Sequence, residues 1–432
     1  MRDSFWASFL RLAGVNILSN LLVPLAGLLD VAFLGNLAEI RHLAGVAIAT
    51  VLFNYIYWTF GFLRMGTTGT TAQAVGRGDG DEVLLTGLRG GAIALMVGLG
   101  IVLLQAPLRE IGFALLSATP EVKQAGRDYY NAMIWGAPAT LLNLVWMGWF
   151  LGRGKGREVL LLSAVSNGVN VVLNYWLIVR LGWASTGAGA ATALSQYAML
   201  AVALGLLSRE VAWAQVQAVF PKVWNAAALK SLVLLNGNIV IRTFALITTF
   251  ALFTNLSSAM GATVLAANTL LLQVVTLAAY FIDGLAFATE TYAGQFHGAG
   301  EGNRLRALAK LSGGLSLALG LAIALLFALL PQPLFRLLTH HADVLEGVRQ
   351  SVWWLLPLLG FGSLAYMLDG YFLGITAGNV LRTSALISSL LGFAPIAAIA
   401  WHTQSNALLW LALTCFMAAR MVTLWLALRQ TC

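Results

Sequence analysis

The sequence predicts an all-α polytopic membrane protein, with twelve transmembrane helices in two six-helix bundles. Composition, run length and an internal repeat each point there. Of 432 residues, 59% are hydrophobic and only 10% are charged, against about 25% charged in an ordinary soluble domain. So little charge cannot give a soluble fold a polar surface. This excludes a water-soluble enzyme, a fibrous protein and a disordered one.

Twelve apolar runs reach the roughly 20 residues that a spanning helix needs. Spans 1 to 6 cover 8–34, 43–72, 84–105, 128–151, 159–180 and 187–207, and spans 7 to 12 cover 231–256, 262–293, 307–330, 349–374, 382–401 and 406–428. The connection 208–230 carries Arg209, Glu210, Lys222 and Lys230, and divides a first lobe (1–207) from a second (231–432). Within it, Trp213, Val216, Val219 and Val223 predict a helix lying at the membrane interface. Span 1 is too long for a signal-peptide core.

The formal charge of +8 is unevenly spread. Connections on the N-terminal side hold 14 Lys and Arg residues, and those on the other side hold 7. By the positive-inside rule both termini are expected in the cytoplasm, in a bacterial-type inner membrane. The basic residues are scattered, so no nucleic-acid partner is expected. Cys415 and Cys432 form no disulfide framework, and the pair His340-His341 has no zinc-site spacing.

A shift of 222 residues brings the halves into register. Gly76, Gly78 and Gly80 then fall on Gly298, Gly300 and Gly302, and Gly91 and Gly98 on Gly313 and Gly320. Gly148, Gly152 and Gly156 fall on Gly370, Gly374 and Gly378. Six spans per half is an even number, so both halves enter from the same side. That predicts a parallel repeat about an axis along the membrane normal, with a transport site near midplane.

Ionisable residues inside spans are expensive and mark candidate sites. Asp30 in span 1 is the sharpest, as a titratable carboxylate that exchanges a proton for a cation; snorkelling or helix capping is the structural alternative. Candidate neutral partners are Asn167, Asn170 and Asn174 in span 5, Thr192, Ser195 and Gln196 in span 6, and Asn143 in span 4, with Tyr129 and Tyr130 at its start. These asparagines could equally be helix–helix glue. In the second half, Asp283 and Glu290 share one face of span 8, where they could pair with Arg242 of span 7 or line a second cavity. Asp369 in span 10 falls on Met147, so the repeat does not demand it. Pro24 and Gly27 are a candidate hinge in span 1. The glycine-rich turns after spans 2 and 8 lack a phosphate-loop ending, and no ATPase motif occurs, so the energy must come from an ion gradient.

The stretch Ser19-Asn-Leu-Leu-Val-Pro24-Leu-Ala-Gly27-Leu-Leu-Asp30 resembles span 1 of the multidrug and toxic compound extrusion (MATE) family, closest to its bacterial DNA-damage-inducible F branch. Phe62 to Gln73, Gly148-Trp-Phe-Leu-Gly152, Ile282 to Glu290 and Leu368 to Gly374 resemble the family too. The resemblance covers nearly the whole chain. It implies a V-shaped pair of lobes and an ion-coupled antiporter expelling amphipathic, often cationic small molecules. It implies a first-lobe site of Asp30, Asn170, Asn174 and Thr192, joined by Asn143 and by Tyr129 or Tyr130. Many relatives have aspartate where this chain has Asn174, and a proline near Val15. Asp369 matches a coupling position of another branch. A proton is the expected coupling ion, with sodium as a variant because the site offers hard oxygen ligands. No cofactor or bound metal is expected, and the protein is expected to be a monomer in the bilayer. A flippase for lipids or lipid-linked oligosaccharides is the alternative. It needs a strongly basic cavity, and Arg242 is the one clear intramembrane base. A membrane enzyme is disfavoured for want of a clustered catalytic set.

Overall fold

The computed structural model describes residues 2–431, with side chains for 5–430; Cys432 lies outside the described residues. Among these there is no strand. The first half contains α1 (Arg2–Gly35), α2 (Arg41–Thr59), α3 (Phe62–Arg77), α4 (Gly80–Leu103), α5 (Gln105–Leu115), α6 (Pro120–Met133), α7 (Ala137–Gly152), α8 (Gly156–Asn174) and α9 (Ala184–Glu210). A short α10 (Trp213–Val219) follows. The second half contains α11 (Ala226–Ala259), α12 (Ala262–Gly298), α13 (Gly302–Leu329), α14 (Pro331–Phe335), α15 (Ala342–Ser351), α16 (Leu355–Gly374), α17 (Gly378–Ile387), α18 (Ala394–Thr403) and α19 (Asn406–Thr431). Joined across their interruptions, these give 12 segments long and apolar enough to cross a membrane, as the sequence predicts.

Both halves interrupt their fourth and fifth spans. The fourth of each carries a 3-10 turn, Ile134–Gly136 and Val352–Trp354, and the fifth a π-helical stretch, Tyr175–Arg180 and Ser388–Phe393. The second span is broken at Phe60 and Gly61 in the first half, whereas α12 runs through. The residue aligned with Gly61 there is Asp283.

The repeated glycines have two jobs. Gly78 and Gly300 follow α3 and α12 with φ of 71° and 73°, a left-handed conformation that glycine adopts freely. The others let helices touch. A Cβ on Gly148 would lie 2.5 Å from the Arg64 carbonyl oxygen, and one on Gly152 would lie 2.6 Å from that of Thr68. Gly370 and Gly374 press equally closely on the Ala286 and Glu290 carbonyls of α12. The small-xxx-small pair thus seats α7 on α3 and α16 on α12, the close approach that holds helices together where lipid offers no hydrophobic drive. Gly374→Leu should fail to accumulate as folded protein, since the obstacle is backbone and cannot turn aside. Monodisperse Gly374→Leu on gel filtration would contradict this packing role.

By packing, one compact unit is Leu18–Leu232; the other is Val233–Cys432 together with Met1–Ile17. The boundary falls inside α1. In the second unit Phe5 and Phe9 contact Tyr292 of α12, and Gly284 leaves room for Ile17. A buried polar network also ties this unit together. Asn268 donates to Ser257 (2.7 Å) and Asn406 (2.8 Å), and the Trp410 indole donates to Asn268 (2.9 Å).

The connection after α9 packs on protein, a correction to the interfacial helix that the sequence predicts. Val219 and Val223 are buried with Leu84 and Leu85 of α4, and Val216 packs beside them; Trp213 stays exposed. Arg89 of α4, itself buried, donates to the carbonyls of Lys222 (3.1 Å) and Val223 (3.3 Å), and pairs with Glu82 (2.7 Å). Arg89→Leu would leave both carbonyls without that donor, at about 1–3 kcal/mol for a buried polar group. Limited trypsin digestion at Lys222 should then run faster than in wild type. An unchanged digestion rate would show that this clamp does not hold the segment.

Candidate functional site

In the first unit, Asp30 sits on the lightly packed second half of α1, where Val23, Leu25 and Leu28 are exposed. The helix runs through Pro24 without interruption, and a Cβ on Gly27 would meet nothing within 4 Å. Half-buried Asp30 meets the last turn of α8. Asn170 and Asn174 are one turn apart there, so both side chains share a face. The π-helical stretch begins directly after Asn174; such widened turns often accompany functional sites.

The side chains form one hydrogen-bonded line. The Asn174 amide donates to Asp30 Oδ1 at 2.5 Å and to Asn170 Oδ1 at 3.1 Å. Asn170 donates to the Thr192 hydroxyl of α9 at 3.3 Å, and Thr192 donates back to the Ala188 carbonyl at 3.0 Å. Asn174 Oδ1 is buried and accepts no hydrogen bond. An unengaged carbonyl oxygen beside a carboxylate is a place for positive charge, because burying an oxygen without a donor costs free energy. Tyr129 places its hydroxyl beside Thr192 and Thr50 and within electrostatic reach of Asp30.

Other sequence candidates lie elsewhere. Tyr130 stacks on Phe53 and donates to the Gln105 carbonyl at 3.1 Å, so of the two tyrosines only Tyr129 approaches Asp30. Asn143 donates to Gln196, at 2.8 Å to its carbonyl and 3.0 Å to its side chain, and Gln196 continues to Ser166. That fastens α7 to α9 rather than joining Asp30. Asn167 donates to the Ser163 carbonyl of its own helix.

The second unit holds a different arrangement. Asp369 Oδ2 of α16 accepts from Arg242 of α11 and from Arg420 of α19. All three residues are buried. One sequence expectation is corrected: Arg242 is not the one intramembrane base. Arg242 also pairs with Asp369, a partner that the sequence does not single out for it. Arg420 lies fully enclosed, over the rings of Tyr366 and Phe416 at 5.4 and 5.7 Å. Its position well inside the run 406–428 was the available signal. Asp283 and Glu290 lie on α12, half-buried and fully buried, each engaged in interactions of its own. Asn16 of α1, buried with neither side-chain polar atom bonded, is an asparagine inside span 1 that the sequence reading did not single out.

Twelve spans in two equivalent halves, with a carboxylate–amide–hydroxyl line inside one of them, define a membrane transporter. The chain belongs to the MatE family, whose family model matches residues 16–176 and again 239–398, once in each half. It is 32% identical over 413 residues to the DNA damage-inducible protein F of Escherichia coli, covering 94% of this chain and 88% of that one. A probable multidrug resistance protein NorM of Thermotoga maritima is 23% identical over 335 residues, covering 76% and 71%. Among solved structures, the Vibrio cholerae MATE transporter VcmN superposes with a TM-score of 0.87 at 18% identity, covering 99% of this chain and 97% of that one. A MOP superfamily transporter of Pyrococcus furiosus superposes with a TM-score of 0.86 at 19% identity, covering 98% and 95%. These likenesses establish the fold.

Proposed function

We propose that the protein is an ion-gradient-driven antiporter, proton-coupled, that exports amphipathic organic cations from the cytoplasm by alternating access. The observation that carries this reading is the line from Asp30 through Asn174 and Asn170 to Thr192. Ionised, Asp30 accepts a charge-assisted hydrogen bond from Asn174 and can hold a cationic substrate. A proton on the carboxylate removes the charge, weakens that bond roughly by half, and weakens the hold on the cation. Proton and substrate then compete for one group, and such reciprocal coupling is what exchange requires. The lightly packed stretch of α1 around Pro24 and Gly27 is the element whose packing would follow the change. The relatives' printed names, multidrug resistance among them, support the substrate class.

Everted membrane vesicles preloaded with the protein test the reading directly. A proton gradient imposed alone should drive ethidium transport, and a sodium gradient imposed alone should not. Transport driven by sodium alone would move the coupling to that ion. Transport with neither gradient would refute ion coupling.

Asn174→Asp sets a second carboxylate against Asp30, in hydrogen-bonding distance of it. Like charges that close share a proton, so the pH profile of efflux should shift. An unchanged profile would show that residue 174 does not bear on the Asp30 charge.

The 14 to 7 distribution of basic residues supports cytoplasmic placement of both termini. A cysteine at Lys123 should react with a membrane-impermeant maleimide added outside, and one at Lys155 should not. The reverse pattern would invert the topology.

A further inference from the structure

The second unit carries a cleft where its third span ends and its fourth begins. Pro331 disfavours helical backbone in the residue before it, and α13 stops at Leu329, with Leu330 at φ −121° and ψ 48°. The chain turns through α14 and returns in α15. Buried Phe335 meets Phe327 of α13, their ring centroids 5.6 Å apart, and holds α14 in place. Two adjoining cavities open between these elements. One, of about 200 Å³, is lined by Gln332, Arg336, Glu346 and Arg349. The other, of about 370 Å³, is lined by Leu329 and Trp353. Pro331, Gln332 and Arg349 line both, so a polar chamber runs on into an apolar one. The ionisable groups lining the polar chamber are Arg336, Arg349 and Glu346, two positive charges against one negative. Glu346 lies 3.9 Å from Arg349, and Arg336 makes no ion pair among the described residues. In the apolar chamber Leu329 and Trp353 are 65% and 53% exposed. Tryptophan and arginine at span ends sit at the level of lipid headgroups.

We propose that this cleft is a binding site for an anionic phospholipid, whose phosphodiester sits between Arg336 and Arg349 and whose acyl chain lies along Leu329 and Trp353. The single negative charge of a phosphodiester matches the net positive charge of the chamber. A guanidinium offers its donors in a planar fork that suits phosphate oxygens, and the Gln332 amide adds another donor. A soluble anion would use the polar chamber alone; the apolar chamber beside it is what selects a lipid. The bound lipid would join the end of α13 to the start of the next span. With both termini in the cytoplasm it belongs to the outer leaflet, but binding itself depends on neither topology nor antiport.

The full chain, purified in a neutral detergent, is titrated with phosphatidylglycerol and separately with phosphatidylcholine, and bound lipid is counted by native mass spectrometry. The first phosphatidylglycerol should bind about fivefold tighter than phosphatidylcholine, the worth of roughly one basic residue at a lipid surface. Arg336→Gln and Arg349→Gln should each reduce that preference, and together they should abolish it. Leu329→Asn leaves the charges in place and should weaken both lipids. All three positions are exposed, so these variants should fold. Arg180→Gln, at an exposed arginine of the first unit, should leave the preference intact. Equal affinities in wild type, a preference that survives the double substitution, or an equal loss in Arg180→Gln would overturn the site. Release of phosphatidylglycerol by inorganic phosphate, but not by chloride at the same ionic strength, would overturn the lipid in favour of a soluble anion.

Discussion

Asp30→Asn should abolish gradient-driven efflux without reducing the amount of protein in the membrane. Asparagine has nearly the shape of the protonated carboxyl, can keep a hydrogen bond with Asn174, and is cheaper to hold inside a bilayer than a charge. Folding should therefore survive. The group that must gain and lose a proton is gone, so proton entry no longer has a carboxylate to neutralise. Ethidium efflux, measured at matched membrane abundance, should fall to the level of vesicles lacking the protein. Wild-type efflux by this variant would remove Asp30 from coupling and leave the second unit's carboxylates to account for it.

Asp369→Ala should be the most damaging single change to stability in the second unit. It strands two buried guanidiniums at once, and uncovering a buried charge typically costs about 3–5 kcal/mol. The thermal unfolding midpoint of the purified protein should drop sharply. Replacing the whole cluster, as Arg242→Met with Asp369→Leu and Arg420→Met, should restore much of the loss, because apolar residues of similar volume often substitute for buried ion groups at little cost. An unaltered midpoint in Asp369→Ala would mean that the arginines find other partners.

What was legible in the sequence divides along physical lines. Span positions follow from local composition, since a run of apolar residues needs no tertiary information to declare a helix in lipid. The matched glycines announced the two halves, yet not their purpose; only the approach of Gly374 to the Glu290 carbonyl shows that they are contact points. Asn170 and Asn174 could be paired from helical spacing alone. Their meeting with Asp30 rested on the family resemblance, because residues 144 apart carry no local sign of contact. For the same reason Tyr129 and Tyr130 could not be told apart, since one step of helix rotation sends one towards Thr192 and the other towards Gln105. Arg420 was not singled out because a long arginine side chain can snorkel out of a span; here Asp369 and the rings of Tyr366 and Phe416 hold it inside. The face of Val216, Val219 and Val223 was read correctly as apolar, but apolarity alone does not distinguish a lipid surface from the side of α4.

The central claim is that one carboxylate is contested by proton and substrate. Proton release on substrate binding measures that contest without any gradient. Purified protein in weakly buffered solution is mixed with ethidium, and the released protons are followed with a pH indicator across a pH series. Wild type should release protons in step with dye bound, over the pH range where Asp30 is protonated beforehand, and Asp30→Asn should bind dye with no release. Dye binding by wild type without proton release at any pH, or equal release by Asp30→Asn, would contradict the account.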